Sequence, residues 1–183
     1  DWVKFVLNAK VVHEPGTVFQ YNNAGPYLLG ILVQRKTGMS LVDYLMPRLF
    51  EPLGIERPEC EKDPLGNTFG AGGLQLNVSE FAKLGLLYLQ KGQWNGRQLI
   101  PEQWVAEAGS AQILSDQGDD EIGRHYGYLF WTMPDGAFRA DGKYGQYCIV
   151  LPKKNAVVAI NSMQIEDEKK VLRTAVRTVL PLL

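Results

Sequence analysis

The sequence predicts an α+β fold, an antiparallel sheet flanked by helices plus a helical region, on three observations. Apolar residues recur at helical spacing through residues 26–36, 40–50 and 77–92. After residue 126 the period shortens, and the runs 126–132, 147–151 and 157–161, rich in aromatic and β-branched residues, read as strands. Residues 167–180 then return to helical spacing, and strands in series followed by a helix suggest a sheet covered by that helix. On this reading 1–125 is a mainly helical region and 126–183 holds the sheet strands and the last helix, both within one domain.

Taken in order, residues 2–10 read as the end of a helix, with Trp2, Phe5 and Val6 on one face. Pro15-Gly16 marks a turn and leads into Tyr21-Asn22-Asn23. Pro26 suits the first turn of the next helix, Leu28, Leu29, Leu32 and Val33 form its expected buried stripe, and Gly38 ends it. Ser40 can cap the following helix, whose inner face is Leu41, Tyr44, Leu45, Leu49 and Phe50, until Pro52 stops it. Residues 54–67 lose all period and read as a long surface excursion. Asn77 and Glu80 have capping-box spacing and open a helix with Phe81, Leu84, Leu87 and Tyr88 inward. Gln93-Trp94-Asn95-Gly96 reads as a turn, and 101–108 as a short helix stopped by Gly109. Residues 110–125 are polar, acidic and without period, which predicts an exposed loop. Pro134-Asp135-Gly136 and Pro152-Lys153-Lys154-Asn155 supply turns between strands, and 138–141 can add a further short strand.

Composition narrows the function. A chain of 183 residues, 45% hydrophobic and 21% charged, has the balance of an ordinary globular domain. A formal net charge of −1 argues against nucleic acid or an anionic membrane as the main partner. No run approaches the ~18 apolar residues that span a bilayer. Cys60 and Cys148 have neither zinc nor redox spacing and read as free, small, buried residues. Gly70-Ala71-Gly72-Gly73 lacks the Gly-Lys-Ser/Thr ending of a phosphate cradle and reads as a turn where backbones pass closely. His13 has no carboxylate, serine or cysteine at a meaningful spacing. No metal ligand set and no cofactor motif is present.

Tyr21 and Asn23, a phenol and a carboxamide two residues apart on a loop held by a helix, make a plausible piece of an active site, although both are also ordinary turn residues. Pro15-Gly16-Thr17, Tyr21-Asn22-Asn23, Leu29-Gly30, Thr37-Gly38-Met39-Ser40 and Phe50-Glu51-Pro52-Leu53-Gly54-Ile55 occur in sequence. Ala71-Gly72-Gly73-Leu74, Tyr126-Gly127-Tyr128, Gly142-Lys143-Tyr144-Gly145-Gln146 and Leu151-Pro152 follow. In order and spacing the set resembles the serine β-lactamase and penicillin-binding-protein superfamily, on its class C, esterase and D-peptidase side, over nearly the whole chain. The resemblance implies part of the serine β-lactamase-like fold and acyl transfer through a serine ester followed by hydrolysis. Tyr21-Asn22-Asn23 matches the family's Tyr-x-Asn motif, so Tyr21 is the implied base or proton shuttle, and Asn23 would orient a lysine or bind a substrate carbonyl. An unperturbed phenol, pKa about 10, is ionised in only about one molecule in a thousand at pH 7. Tyr21 therefore needs nearby cations or a proton relay to a lysine.

That lysine belongs to the family's Ser-x-x-Lys nucleophile motif, and none of Ser40, Ser79, Ser110, Ser115 or Ser162 has a lysine three residues later. The chain thus reads as the C-terminal portion of a hydrolase domain, expected to be inactive alone. Its expected companion is the missing N-terminal portion of the same domain, or a second copy through self-association. Counting back from Leu151-Pro152, Ala140-Asp141-Gly142 matches the family's Lys-Thr-Gly position. Gly142 fits the close passage of substrate past backbone; Ala140 does not replace the cation; Lys143 can substitute for it or be a surface lysine beside a turn. Asp141 is either a substrate-binding or a simple turn residue. The departure favours a small-molecule ester or amide, or a peptidoglycan-like peptide, over a β-lactam. The resemblance alone favours a periplasmic or extracellular location. The alternative is a non-catalytic binding or interaction protein on the same scaffold.

Overall fold

A computed structural model describes residues 1–183. The chain forms two compact units, Asp1–Leu76 and Asn77–Leu183.

In the first unit, α1 (Trp2–Leu7) is capped by Asp1, whose Oδ1 accepts from Lys4 N at 3.0 Å. Helix α2 (Ala24–Thr37) ends on left-handed Gly38, and α3 (Leu41–Leu45) starts on Ser40, whose Oγ accepts from Asp43 N. A wide π turn, Met46–Phe50, carries α3 on and buries Phe50. The caps fall where the sequence puts them because they depend only on residues within one turn.

The buried face of α2 differs from the expected stripe. Tyr27, Gly30, Ile31 and Gln34 point inward, while Leu29 and Leu32 are 58% and 56% exposed. Apolar residues occur on every side of this helix, so periodicity cannot select a face; contacts with residues 60–73 do. A Cβ on Gly30 would lie 3.1 Å from Gly70 Cα, so side chains larger than hydrogen would separate the two backbones. Tyr27 OH donates to Asp63 Oδ2 at 2.7 Å. Gln34 Oε1 accepts from Thr68 N, and its Nε2 donates to Thr68 O. The stretch read as a surface excursion therefore has a buried anchor. Asp63 accepts four hydrogen bonds, from Tyr27, Leu65 N, Asn67 N and Asn67 Nδ2.

The second unit is built on one sheet. Its strands are β3 (Ile113–Asp119), β4 (Gly123–Tyr126), β5 (Trp131–Thr132), β6 (Phe138–Gly142), β7 (Gln146–Leu151) and β8 (Ala156–Ile160). They lie in sequence order, every pair antiparallel. One face of β7 (Tyr147, Ile149, Leu151) packs with Ile122 and with Leu172, Ala175 and Leu180 of the C-terminal segment. That segment comprises α6 (Glu168–Thr174), a π turn (Ala175–Val179) and a final 3-10 turn. The expected helix thus covers the sheet. The opposite face receives α4 (Val78–Leu89), which has the capping box of Asn77 and Glu80. A Cβ on Gly85 would collide with Cys148 Sγ, so glycine lets α4 seat directly on β7. A small hairpin, β1 (Gln93–Trp94) and β2 (Arg97–Gln98), and α5 (Glu102–Ala108) precede the sheet.

Two expectations are corrected. Residues 110–125 are not a loop: they supply β3 and β4, the outer hairpin, with a register shift between Leu114 and Asp119. β3 is an edge strand whose charges and register shift blunt its free edge, and β4 pairs with β5 at a single position, which is why this hairpin lacks the alternation of a half-buried strand. Residues 126–132 are not one strand: the chain turns at 127–130, so that Tyr126 pairs back on Trp131.

Candidate functional site

The loop before α2 is shaped by its own side chains. Thr17 returns to Glu14 O through both its N–H and its hydroxyl, closing the turn at Gly16. Asn22 then does the capping. Its Oδ1 accepts from Gly25 N at 2.9 Å, and its Nδ2 donates to Gln20 O at 3.1 Å. Asn23 holds the N-cap position by backbone alone, with Tyr27 N donating to its carbonyl and no capping bond from its side chain. The middle residue of Tyr21-Asn22-Asn23 thus satisfies the helix terminus, and the outer two are presented on the surface, Tyr21 at 48% exposure. The Tyr27–Asp63 pair one turn into α2 sets the helix start that carries this loop. Burial and hydrogen bonding to Asp63 push the Tyr27 phenol up to about 12. Although burial alone would raise it, the hydrogen bonds from Asn67, Tyr27 and Leu65 hold the Asp63 carboxyl down at about 2. This pair is neutral phenol and carboxylate throughout the physiological range.

Asp141, Gly142 and Lys143 lie in the second unit, at the β6–β7 hairpin. Asp141 pairs with Tyr147 and Gly142 with Gln146, so Asp141 is a strand residue rather than part of the turn. Its side chain lies on the face turned to α6. Oδ1 is 2.8 Å from Arg139 Nε, with the Asp141 side chain 25% and Arg139 3% exposed. The Arg139 Nε–H is not aimed at that oxygen and has no hydrogen-bond acceptor, while Nη1 donates to Ile122 O. Burial raises the Asp141 carboxyl to about 6 against the pull of Arg139. Lys143 extends from the turn, its Nζ 4.9 Å from the centre of the Tyr144 ring. The turn is tied to α6, with Tyr144 N donating to Glu168 Oε1 at 2.7 Å.

The structure therefore groups Tyr21 with Asn23 on one loop, and Asp141, Gly142 and Lys143 on one hairpin. Tyr27, Asp63, Arg139 and Glu168 are supports that sequence reasoning did not single out. An arginine at an inward position of an alternating strand was the available signal for Arg139.

Four of the five serines have local roles. Ser40 Oγ donates to Asp43 Oδ2, Ser79 Oγ to Asn77 Oδ1, and Ser110 Oγ to Glu107 O. Ser115 is buried and accepts from Gln117 N. No group of three or more His, Cys, Asp or Glu side chains could hold a metal ion. No helix is long and apolar enough to cross a membrane.

A profile of the Beta-lactamase family matches residues 1–180. The 6-aminohexanoate-dimer hydrolase of Paenarthrobacter ureafaciens is 29% identical over 148 residues, 76% of this chain and 38% of that protein. The D-aminopeptidase of Brucella anthropi is 40% identical over 55 residues, 30% of this chain and 11% of that protein. Among solved structures, the octameric penicillin-binding protein homologue from Pyrococcus abyssi superposes with a TM-score of 0.74 at 22% identity. That match covers 93% of this chain and 44% of the homologue. The chain spans less than half the length of each of these proteins.

Proposed function

The chain belongs to the beta-lactamase family, and on that premise we propose that it is part of a serine hydrolase that cleaves an amide, ester or D-peptide bond through an acyl-serine. The observation that carries the reading is the division of labour in residues 21–23: Asn22 caps α2, and Tyr21 and Asn23 are exposed on either side of it. In the proposed reaction a serine Oγ attacks the substrate carbonyl and its proton passes to Tyr21, or through Tyr21 to a lysine. The leaving amine or alcohol departs with a proton, and water then hydrolyses the ester by the reverse path. Asn23 Nδ2 can donate to the substrate carbonyl, or its Oδ1 can accept from that lysine. On this proposal the serine and lysine belong to polypeptide outside these 183 residues, since none of the five serines here has the Ser-x-x-Lys spacing. An amide substrate is favoured over a β-lactam. Two relatives bear the names of a 6-aminohexanoate-dimer hydrolase and a D-aminopeptidase, and Ala140 puts no cation where a β-lactam carboxylate would need one.

The exposed Leu29 and Leu32 face of α2 supports association with the segment that carries the nucleophile, or with a second copy. A fluorophosphonate probe read by intact mass tests the reading. The 183-residue chain alone should stay unlabelled. Joined to a Ser-x-x-Lys segment, the label should fall on that segment's serine, and Tyr21→Phe should slow both labelling and hydrolysis. Label on one of the five serines here would overturn the assignment. No label in either form would favour a non-catalytic binding protein.

A further inference from the structure

We propose that a cavity in the second unit binds a small amphipathic carboxylate, its tail among apolar side chains and its head on Lys154. The cavity, about 410 Å³, lies where the turns after β5 and β7 meet the end of the C-terminal helical segment. Met133, Ala137, Leu151, Val176 and Leu180 line it. Because β6 and β7 run away from the Gly142–Gln146 turn toward Phe138 and Leu151, the cavity sits at the other end of these strands. It shares no residue with Tyr21, Asn23 or the 141–143 set. Its volume is in the range of ~300–1,000 Å³ typical of small-molecule sites, which combine apolar walls with a few placed polar groups.

The charges at its mouth select the ligand. Four charged side chains border the cavity: Glu121, Asp135, Lys153 and Lys154. Glu121 is held by Arg173 and Arg177. Asp135 is held by Lys153 at 2.8 Å. Lys154 makes no ion pair of its own: its Nζ donates to the backbone carbonyl of Leu180 at 2.8 Å, a neutral acceptor, and the Asp135 carboxylate that also feels its charge is already held by Lys153. That bond fixes the ammonium beside the cavity and uses one of its three N–H groups. A cation with two unused donors next to an apolar chamber favours an anionic head on an apolar tail; an amine is repelled there, and an alcohol forgoes the charge-assisted bond. An unbranched chain of eight carbons is small enough for the chamber.

The test is calorimetric titration of the 183-residue protein with octanoate, octanol and octylamine. Octanoate should bind saturably, one per chain, and about tenfold or more tightly than the other two. Lys154→Met should weaken octanoate about tenfold and leave octanol unchanged, since the methionine keeps the apolar stem. Ala137→Phe and Val176→Trp, each filling the chamber, should abolish octanoate binding, with near-ultraviolet circular dichroism checking that each variant is folded. A photoreactive diazirine analogue of octanoate, which needs no substitution, should crosslink within residues 133–137 or 176–181. The proposal is overturned by the absence of saturable octanoate binding, by unchanged affinity in Lys154→Met, or by crosslinks that map elsewhere.

Discussion

The loop at 21–23 and the hairpin at 141–146 both carry residues that a family resemblance singles out, and they spend their polar side chains in opposite ways. In the loop one residue, Asn22, meets the structural demands of the helix start. Asn23 is left exposed, its carboxamide making no capping bond. In the hairpin the structural demands fall on the candidate itself: Asp141 faces α6 and lies against the buried Arg139 guanidinium. Motif spacing brings a residue type to a turn. Whether that residue remains for a ligand depends on whether a neighbour satisfies the local backbone and charge.

The sharpest way to break this contrast is at Arg139. Replacing Arg139 with Met removes the cation beside a largely buried carboxylate and should cost about 3 kcal/mol in urea unfolding at pH 7. A loss within ~0.5 kcal/mol, the range of ordinary surface substitutions, would mean that Asp141 is not held by the scaffold. Asp141→Asn should behave differently. The folded-state pKa of Asp141 is about 6, above the ordinary value of about 4, so the folded protein holds the extra proton. This residue's contribution to stability therefore falls as pH rises from about 4 to about 6. Asn, which stays neutral, should remove that decline and cost less at pH 7 than Arg139→Met. An unaltered stability profile between pH 4 and 6 in Asp141→Asn would refute the raised pKa.

Next in size is Tyr27→Phe, which takes one of four donors from a buried carboxylate. It should cost about 2 kcal/mol, as hydrogen bonds to charged groups do. Asp63 supplies the opposite pH dependence. Its folded pKa of about 2 lies below the ordinary value, so its contribution is present above about pH 4 and is lost as pH falls toward 2. Tyr27→Phe should shallow that acid loss; an unchanged acid limb would separate the phenol from the carboxylate's titration.

The smallest effects make the finest comparison. Asn22→Ala should lose about 1 kcal/mol, the worth of a helix cap, while Asn23→Ala should stay within about 0.5 kcal/mol. On the proposed function, Asn23→Ala and Tyr21→Phe should each reduce turnover in a form joined to a Ser-x-x-Lys segment. If Asn23→Ala destabilises the fold as much as Asn22→Ala, the division of labour in the loop is wrong.

The features that were legible in the sequence are those settled within a few residues. Ser40, the Asn77–Glu80 box and the stop at Gly109 all lie where local patterns put them, as do the strands at 138–142, 146–151 and 156–160 to within a residue. The α+β class follows from such pieces. The Tyr-x-Asn loop was legible too, although its spacing does not say which of the two asparagines would cap the helix. The outer hairpin at 113–126 was not legible, because its edge strand β3 is polar and shifts register between Leu114 and Asp119, so no period-2 alternation marks it.

From the sequence, then, came the helix caps and stops, three of the six strands of the main sheet, and the turn that leads through Tyr21-Asn22-Asn23 into α2. Those properties arise from backbone geometry and bonds between near neighbours. The inward face of α2 was set by packing alone, where the Gly30–Gly70 approach and the Tyr27 and Gln34 hydrogen bonds expose Leu29 and Leu32. Packing likewise set the place of 113–126 in the sheet and the attachment of Asp141 to Arg139. Each of these depends on a partner distant in sequence or across a strand, and the free energy of burying polar groups is settled only once those partners have met.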